Sequence, residues 1–139
     1  MKRLVILSIL LLTSACAVRE ANLKMFDNQR PTTPAERATI LADIKATFLD
    51  PYSIRDAAIS NAAPSMGLDE EIALNICVAA NAKNGYGAYA GRQKTLYYLT
   101  STGRLFKTSQ DTFAQIFCDD RRLRYQPFTE AQQFDHLTP

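Results

Sequence analysis

An α+β fold is predicted by three features: a fully signposted helix, a series of short alternating strands after it, and a short second helix before the tail. One long helix, about four antiparallel strands and a short C-terminal helix would make two layers. The N-terminal amphipathic helix then covers one face of the sheet. No internal repeat or low-complexity tract breaks the pattern. The spacing places one small domain at 34–139.

The helix is announced by "TTPAERATILADIKATFLDP". Thr33 is the expected N-cap, and Pro34 suits the first helical position, where its missing N–H has no bond to lose. Glu36 stands three residues after Thr33 and closes a capping box. Ile40, Leu41, Ile44, Phe48 and Leu49 recur at helical spacing. Pro51 is the stop, so the helix is expected over about 34–49.

The strands follow. "SIRDAAIS" is a short strand and "NAAPSMGLDEE" a loop. In "IALNICVAANAKN", Ile72, Leu74, Ile76 and Val78 share one face by alternation. A helix capped by Asp69 is the competing reading; the run of Ile, Cys and Val into Asn-Gly favours the strand. "RQKTLYYLTS" and "RLFKTS" are two further strands joined by the turn "STGR". Ser109 then caps a short helix in which Phe113, Ile116 and Phe117 keep helical spacing. In the tail, Phe128 and Phe134 are the residues expected to dock.

The start of the chain has a different logic. Lys2 and Arg3 precede an apolar run, Leu4 to Leu12, broken only by Ser8, and the small residues Thr13, Ser14 and Ala15 come next. Residues 1–15 therefore read as a secretory signal peptide. The run falls far short of the roughly 20 residues a spanning helix needs. "LTSAC" resembles the lipobox of bacterial lipoproteins. That resemblance implies acylation of Cys16, which becomes the mature N-terminus and anchors the chain in a membrane. Alanine rather than aspartate at position 17 implies the outer membrane, with the domain facing the periplasm or the cell surface. Residues 16–33 are polar and aperiodic, and are expected to form the lipidated end and a tether.

Export changes the charge and the cysteine count. The whole chain has 16 basic and 14 acidic side chains. Loss of Lys2 and Arg3 leaves 14 of each, so the mature domain is neutral. A neutral domain lacks the field that non-specific nucleic-acid binding uses. With Cys16 acylated, Cys77 and Cys118 remain, and an oxidising compartment lets them pair. The bridge would close a loop of about 42 residues and contribute on the order of 4 kcal/mol. Two buried free thiols are the alternative. Cys77 has the opposite strand parity from Ile76 and Val78, so the bridge would pin the second helix to the other sheet face or to an edge.

"NAKNGYGAYAG" holds three of the five glycines. Gly85 and Gly87 match the first pair of a dinucleotide fingerprint, but Gly91 lies one residue too far and a strand follows, not a helix. No helix N-terminus is there to hold a phosphate. Asn84-Gly85 reads instead as a hairpin turn pair in which both residues tolerate positive φ. Asn81, Lys83, Asn84, Tyr86, Tyr89 and Arg92 cluster in this stretch. They form either a solvated hairpin folded over its own sheet or a partner-binding surface, since tyrosine offers apolar area and a hydroxyl together.

"DPYSIRDA" followed by "CVAANAKNGYGAYAG" resembles a small, largely uncharacterised domain of secreted and lipoprotein chains from Gram-negative bacteria. Those chains share an Asp-Pro-x-Ser stretch and a Cys-x-x-x-Asn-Ala-Lys-Asn segment rich in Gly and Tyr. The resemblance covers residues 34–100 and implies a shared fold and an envelope location. It implies no activity and transfers no catalytic residue.

Chemistry is sparse elsewhere. Nucleophilic catalysis needs a nucleophile, a base and an orienting group, and the only histidine is His136, three residues from the end. Two cysteines and one distant histidine lack metal-ligand spacing. Asp69-Glu70-Glu71 and Asp119-Asp120 read as solvated charge, and "DDRRLR" as a surface charge cluster rather than a lipid-headgroup site. The expectation is a non-catalytic, cofactor-free accessory or structural module that binds an envelope protein or peptidoglycan. The alternative is a periplasmic inhibitor of a cell-wall hydrolase such as lysozyme.

Overall fold

The computed structural model describes residues 24–65, 71–109 and 111–133. Cys16, Phe134, His136 and the signal segment lie outside them. The architecture is α+β, built on one antiparallel sheet. Helix α1 spans Pro34–Thr47. Strands β1 (Arg55–Ser60), β2 (Ala63–Pro64), β3 (Ile72–Asn81), β4 (Gln93–Thr100) and β5 (Leu105–Thr108) follow. Helix α2 (Thr112–Cys118), strand β6 (Tyr125–Pro127) and helix α3 (Thr129–Gln132) complete the order. The sheet runs β5-β4-β3-β1-β6, with β2 also paired to β3.

Among the described residues there are six strands where about four were expected. The additions are β2, inside the stretch read as a loop, and β6, in the tail. Both are too short to show alternation. β2 lies where Ala63 pairs with Asn75 and Pro64 with Leu74. β6 pairs with β1 through Ala58–Pro127, Ile59–Gln126 and Ser60–Tyr125.

Helix α1 begins with the capping box. The Thr33 hydroxyl accepts from the Glu36 N–H, and the Glu36 carboxylate accepts from the Thr33 N–H at 2.8 Å. The helix closes at Thr47 with Phe48 as C-cap, short of Pro51. Ile40 and Ile44 are its buried residues. They enter a core with Ile59, Ile76, Val78 and Tyr97, into which Phe128 also docks. Leu41 and Phe48 pack at its margin, but Leu49 has left the helix and is exposed.

The other sheet face is covered too, so there are three layers where two were expected. Cys77 and Cys118 are bonded, with their Cα atoms 5.7 Å apart. They sit in a second core with Leu96, Ala114, Phe117 and Leu123. Strand β3 is consequently buried on both faces through its middle. Helix α2 starts from Asp111, whose carboxylate accepts from the Phe113 and Ala114 N–H groups, and not from Ser109. A charged carboxylate facing the helix dipole makes a strong cap.

Residues 24–33 belong to the domain rather than to a tether. Residues 24–27 are helical, Met25 and Phe26 are buried in the second core, and Arg30 pairs with Ala62. The Phe26 and Phe117 rings stack at 5.3 Å. Two apolar residues in a polar stretch have no period, so their burial was not signalled.

Candidate recognition site

The glycine-rich connection, residues 82–92, joins β3 to β4 and folds back on the segment that links α1 to β1. Pro51–Ser53 forms one 3₁₀ turn there. Ser53 is its junction. Its hydroxyl donates to the Asp50 carbonyl at 2.8 Å and accepts from the Lys83 N–H at 2.9 Å. Its carbonyl accepts from the Tyr89 hydroxyl at 3.0 Å. The Arg55 guanidinium stacks over the Tyr89 ring, 3.2 Å from its centroid. Arg92 donates from Nε to the Asp56 carbonyl at 2.9 Å.

Asp56 is the one non-glycine residue with positive φ among those described, at 54°. It sits in a bulge between Arg55 and Ala58, where β1 loses register with β3. Aspartate is among the side chains that tolerate this left-handed region. The bulge turns the Asp56 carbonyl to Arg92 and so fastens the second end of the loop.

The tip is built differently from an Asn-Gly hairpin. Asn84 Oδ1 accepts from the Tyr86 and Ala88 N–H groups at 3.0 and 3.1 Å. The Gly87 N–H closes a turn onto the Asn84 carbonyl at 2.9 Å. Gly87 has φ of 76°, and Gly91 of 90°, while Gly85 keeps an ordinary φ. The asparagine side chain supplies the turn, so the positive φ moves two residues on, to Gly87.

Of the six residues marked in the sequence, four are therefore spent on holding the loop. Asn84 shapes the tip, and Tyr89 and Arg92 fasten it. Lys83 does so through its backbone, with its ammonium 5.9 Å from the Tyr89 ring. Asn81 ends β3 opposite Arg55, and its Oδ1 is buried without a hydrogen-bond partner among the described residues. Tyr86 projects from the tip, at 96% exposed.

Tyr86 has company that the sequence did not mark. Leu49 is 75% and Tyr52 59% exposed, and both precede the Ser53 junction. A Cβ on Gly85 would lie 3.5 Å from the Leu49 side chain, so Leu49 borders the tip. The sequence signal is a leucine directly before Asp-Pro, which helical spacing alone assigns to the apolar stripe of the helix. The surface thus offers a leucine, two tyrosines and the Lys83 ammonium. Such a set binds by apolar contact and hydrogen bonding.

Among the acidic residues marked in the sequence, Asp69 and Glu70 lie outside the described residues, and the other three are ion-paired. Glu71 pairs with Arg104 at 3.4 Å, Asp119 with Lys94 at 2.5 Å and Asp120 with Arg122 at 2.7 Å. The Arg122 hydrogen bond holds the Asp120 carboxyl below its usual range. Burial raises the Tyr97 hydroxyl well above its ordinary value, and the Asp43 carboxylate that accepts from it at 3.1 Å adds to this. Each of these carboxylates is engaged by a named partner in the fold. No group of three histidine, cysteine or acidic side chains could hold a metal among the described residues. No protein-family model, curated protein or solved structure matches the chain.

Proposed function

We propose that this is a lipid-anchored envelope protein, held through Cys16, whose loop 82–92 binds another envelope component together with Leu49 and Tyr52. It acts without catalysis or cofactor, as an accessory or structural module. One observation carries the reading: Tyr86 is 96% exposed at the tip of a loop fastened at both ends. A large side chain on a pre-ordered loop binds with little ordering cost. The signal peptide and lipobox resemblance support the anchor and an outer-membrane location, with the domain facing the periplasm or the surface. The disulfide suits an oxidising compartment.

The same fastened loop favours a second reading, an inhibitor whose tip plugs the cleft of a cell-wall hydrolase such as lysozyme. In-cell crosslinking from a photoreactive residue at position 86 tests both. A single dominant envelope protein or peptidoglycan adduct is expected for the accessory module, and a hydrolase adduct for the inhibitor. The absence of any adduct from a folded, anchored chain would refute loop recognition. Cys16→Ala is expected to release the protein from membranes or leave the precursor uncleaved; normal anchoring of that variant would refute the lipid reading.

A further inference from the structure

Helix α2 has a face that the described residues leave uncovered. Ile116 is 65% and Phe113 47% exposed. They border a hollow of about 270 Å³ whose floor is Met25, Phe26 and Phe117. A second hollow, of about 430 Å³, shares Phe26 and Arg122 with the first and adds Arg121 and Arg124. Apolar side chains and guanidinium groups therefore form one continuous surface. Asp120 and Asp27 lie on it as well. Arg122 is engaged, paired with Asp120 and placed 4.5 Å over the Phe26 ring. Arg121 and Arg124 have no ion-pair partner among the described residues.

The chain from the anchor arrives at this face. Seven residues lie between Cys16 and Lys24, and the eight steps from one to the other reach at most about 28 Å when fully extended. Met25 and Phe26, which follow directly, are floor residues of the hollow. We infer that the α2 face, through Phe113 and Ile116 with Arg121 and Arg124 at its rim, seats on the anionic bilayer leaflet that holds the lipid of Cys16. The inference rests on the anchoring proposed above. Aromatic and aliphatic side chains enter the boundary between headgroups and acyl chains, and the guanidinium groups meet lipid phosphates, so "DDRRLR" takes the headgroup role that its sequence alone argues against. A seven-residue helix is too small to hold a protein on a membrane alone. Beside an anchor it needs only to orient one. The Tyr86 tip borders Leu49 on the α1 side of the sheet and would stay clear of the bilayer.

The chain contains no tryptophan, so one introduced tryptophan reports its own surroundings. Ile116 is exposed enough for Ile116→Trp to fold. The full lipidated chain carrying Ile116→Trp is reconstituted in phosphatidylethanolamine–phosphatidylglycerol vesicles with brominated acyl chains; Tyr86→Trp is the reference. Flotation with the vesicles reads the anchor, and bromine quenching reads the face. Flotation with Trp emission at 116 blue-shifted and quenched about threefold more than at 86 is expected for a side chain at the acyl boundary. Arg121→Glu with Arg124→Glu, or phosphatidylcholine in place of phosphatidylglycerol, is expected to cut that quenching about twofold or more. Flotation with equal quenching at the two positions would overturn the seating and leave the anchor standing. A blue shift at 116 without quenching would mean that protein, such as a second copy, covers the face, and would also overturn it. Failure to float would overturn the anchor and the seating together.

Discussion

The Tyr89 hydroxyl donates to the Ser53 carbonyl across 3.0 Å, joining two segments 36 residues apart. Strand pairing does not make this link, because β3 has ended at Asn81 and β1 has not begun. The loop is therefore held by side chains, and its order depends on a few named atoms.

Tyr89→Phe is expected to destabilise the protein by about 1 kcal/mol, the net worth of one hydrogen bond. Tyr89→Ala also removes the stack with Arg55 and is expected to cost more. Amide exchange should quicken in residues 82–92 and remain slow in β3 and β4. Unchanged exchange in Tyr89→Ala would show that the loop is held by something else.

The glycines separate two accounts of the turn. Gly87→Ala forces an L side chain to φ near 76° with nothing else in its way, and is expected to cost about 1 kcal/mol. Gly85→Ala meets only an ordinary 3.5 Å contact with Leu49 and is expected to be neutral or slightly stabilising. Denaturant titration of both variants is the check. The reverse order would restore the Asn84-Gly85 hairpin.

Cys77→Ser is expected to lower stability by on the order of 4 kcal/mol under oxidising conditions, from freeing the 41-residue separation in the unfolded chain. Both sulfurs are buried in the second core, so the loss should also loosen α2. The wild type with its bridge reduced should unfold near the variant's midpoint. Equal oxidised midpoints would remove the bridge as a source of stability.

The Arg37–Glu130 pair fastens α1 to α3 at 2.6 Å. The Arg37 hydrogen bond lowers the Glu130 carboxyl from 4.5 to about 2. A lowered folded value means stabilisation that is complete above the ordinary carboxylate range and lost as the pH falls through about 2. The Glu130 side chain is 44% exposed, so solvent screening limits the effect of Glu130→Gln to no more than about 1 kcal/mol at neutral pH. The gap between wild type and variant should close on acidification. A constant gap down to the lowest accessible pH would contradict the assignment.

Local signals in the sequence carried much of the fold. Thr33, Pro34 and Glu36 fix a helix start within four residues, and alternation in 72–80 assigns Cys77 and Val78 to opposite faces. What was hidden depends on distant partners. Pro127 looks like a strand breaker, yet it ends β6 at the border of the sheet, where a missing N–H is tolerated. Met25 and Phe26 have no period and are buried because α2, Asn75 of β3 and Arg122 close around them. Within the site, the cluster at 81–92 was legible, but its division of labour was not. A tyrosine that fastens and a tyrosine that projects are the same letter until Ser53 and Leu49 are placed beside them.

The borders of the sheet bear on crowding. At one side β5 has four residues, and Lys107 reaches from it to Asp43 and Thr47. At the other, β6 has three and ends in proline. Neither offers the long row of free backbone groups that a neighbour's strand could extend. Copies confined to a plane would collide often, yet each meets the next with short, blunted edges. Head-on sheet growth into fibres is therefore disfavoured by geometry at densities where a longer, flatter border would invite it.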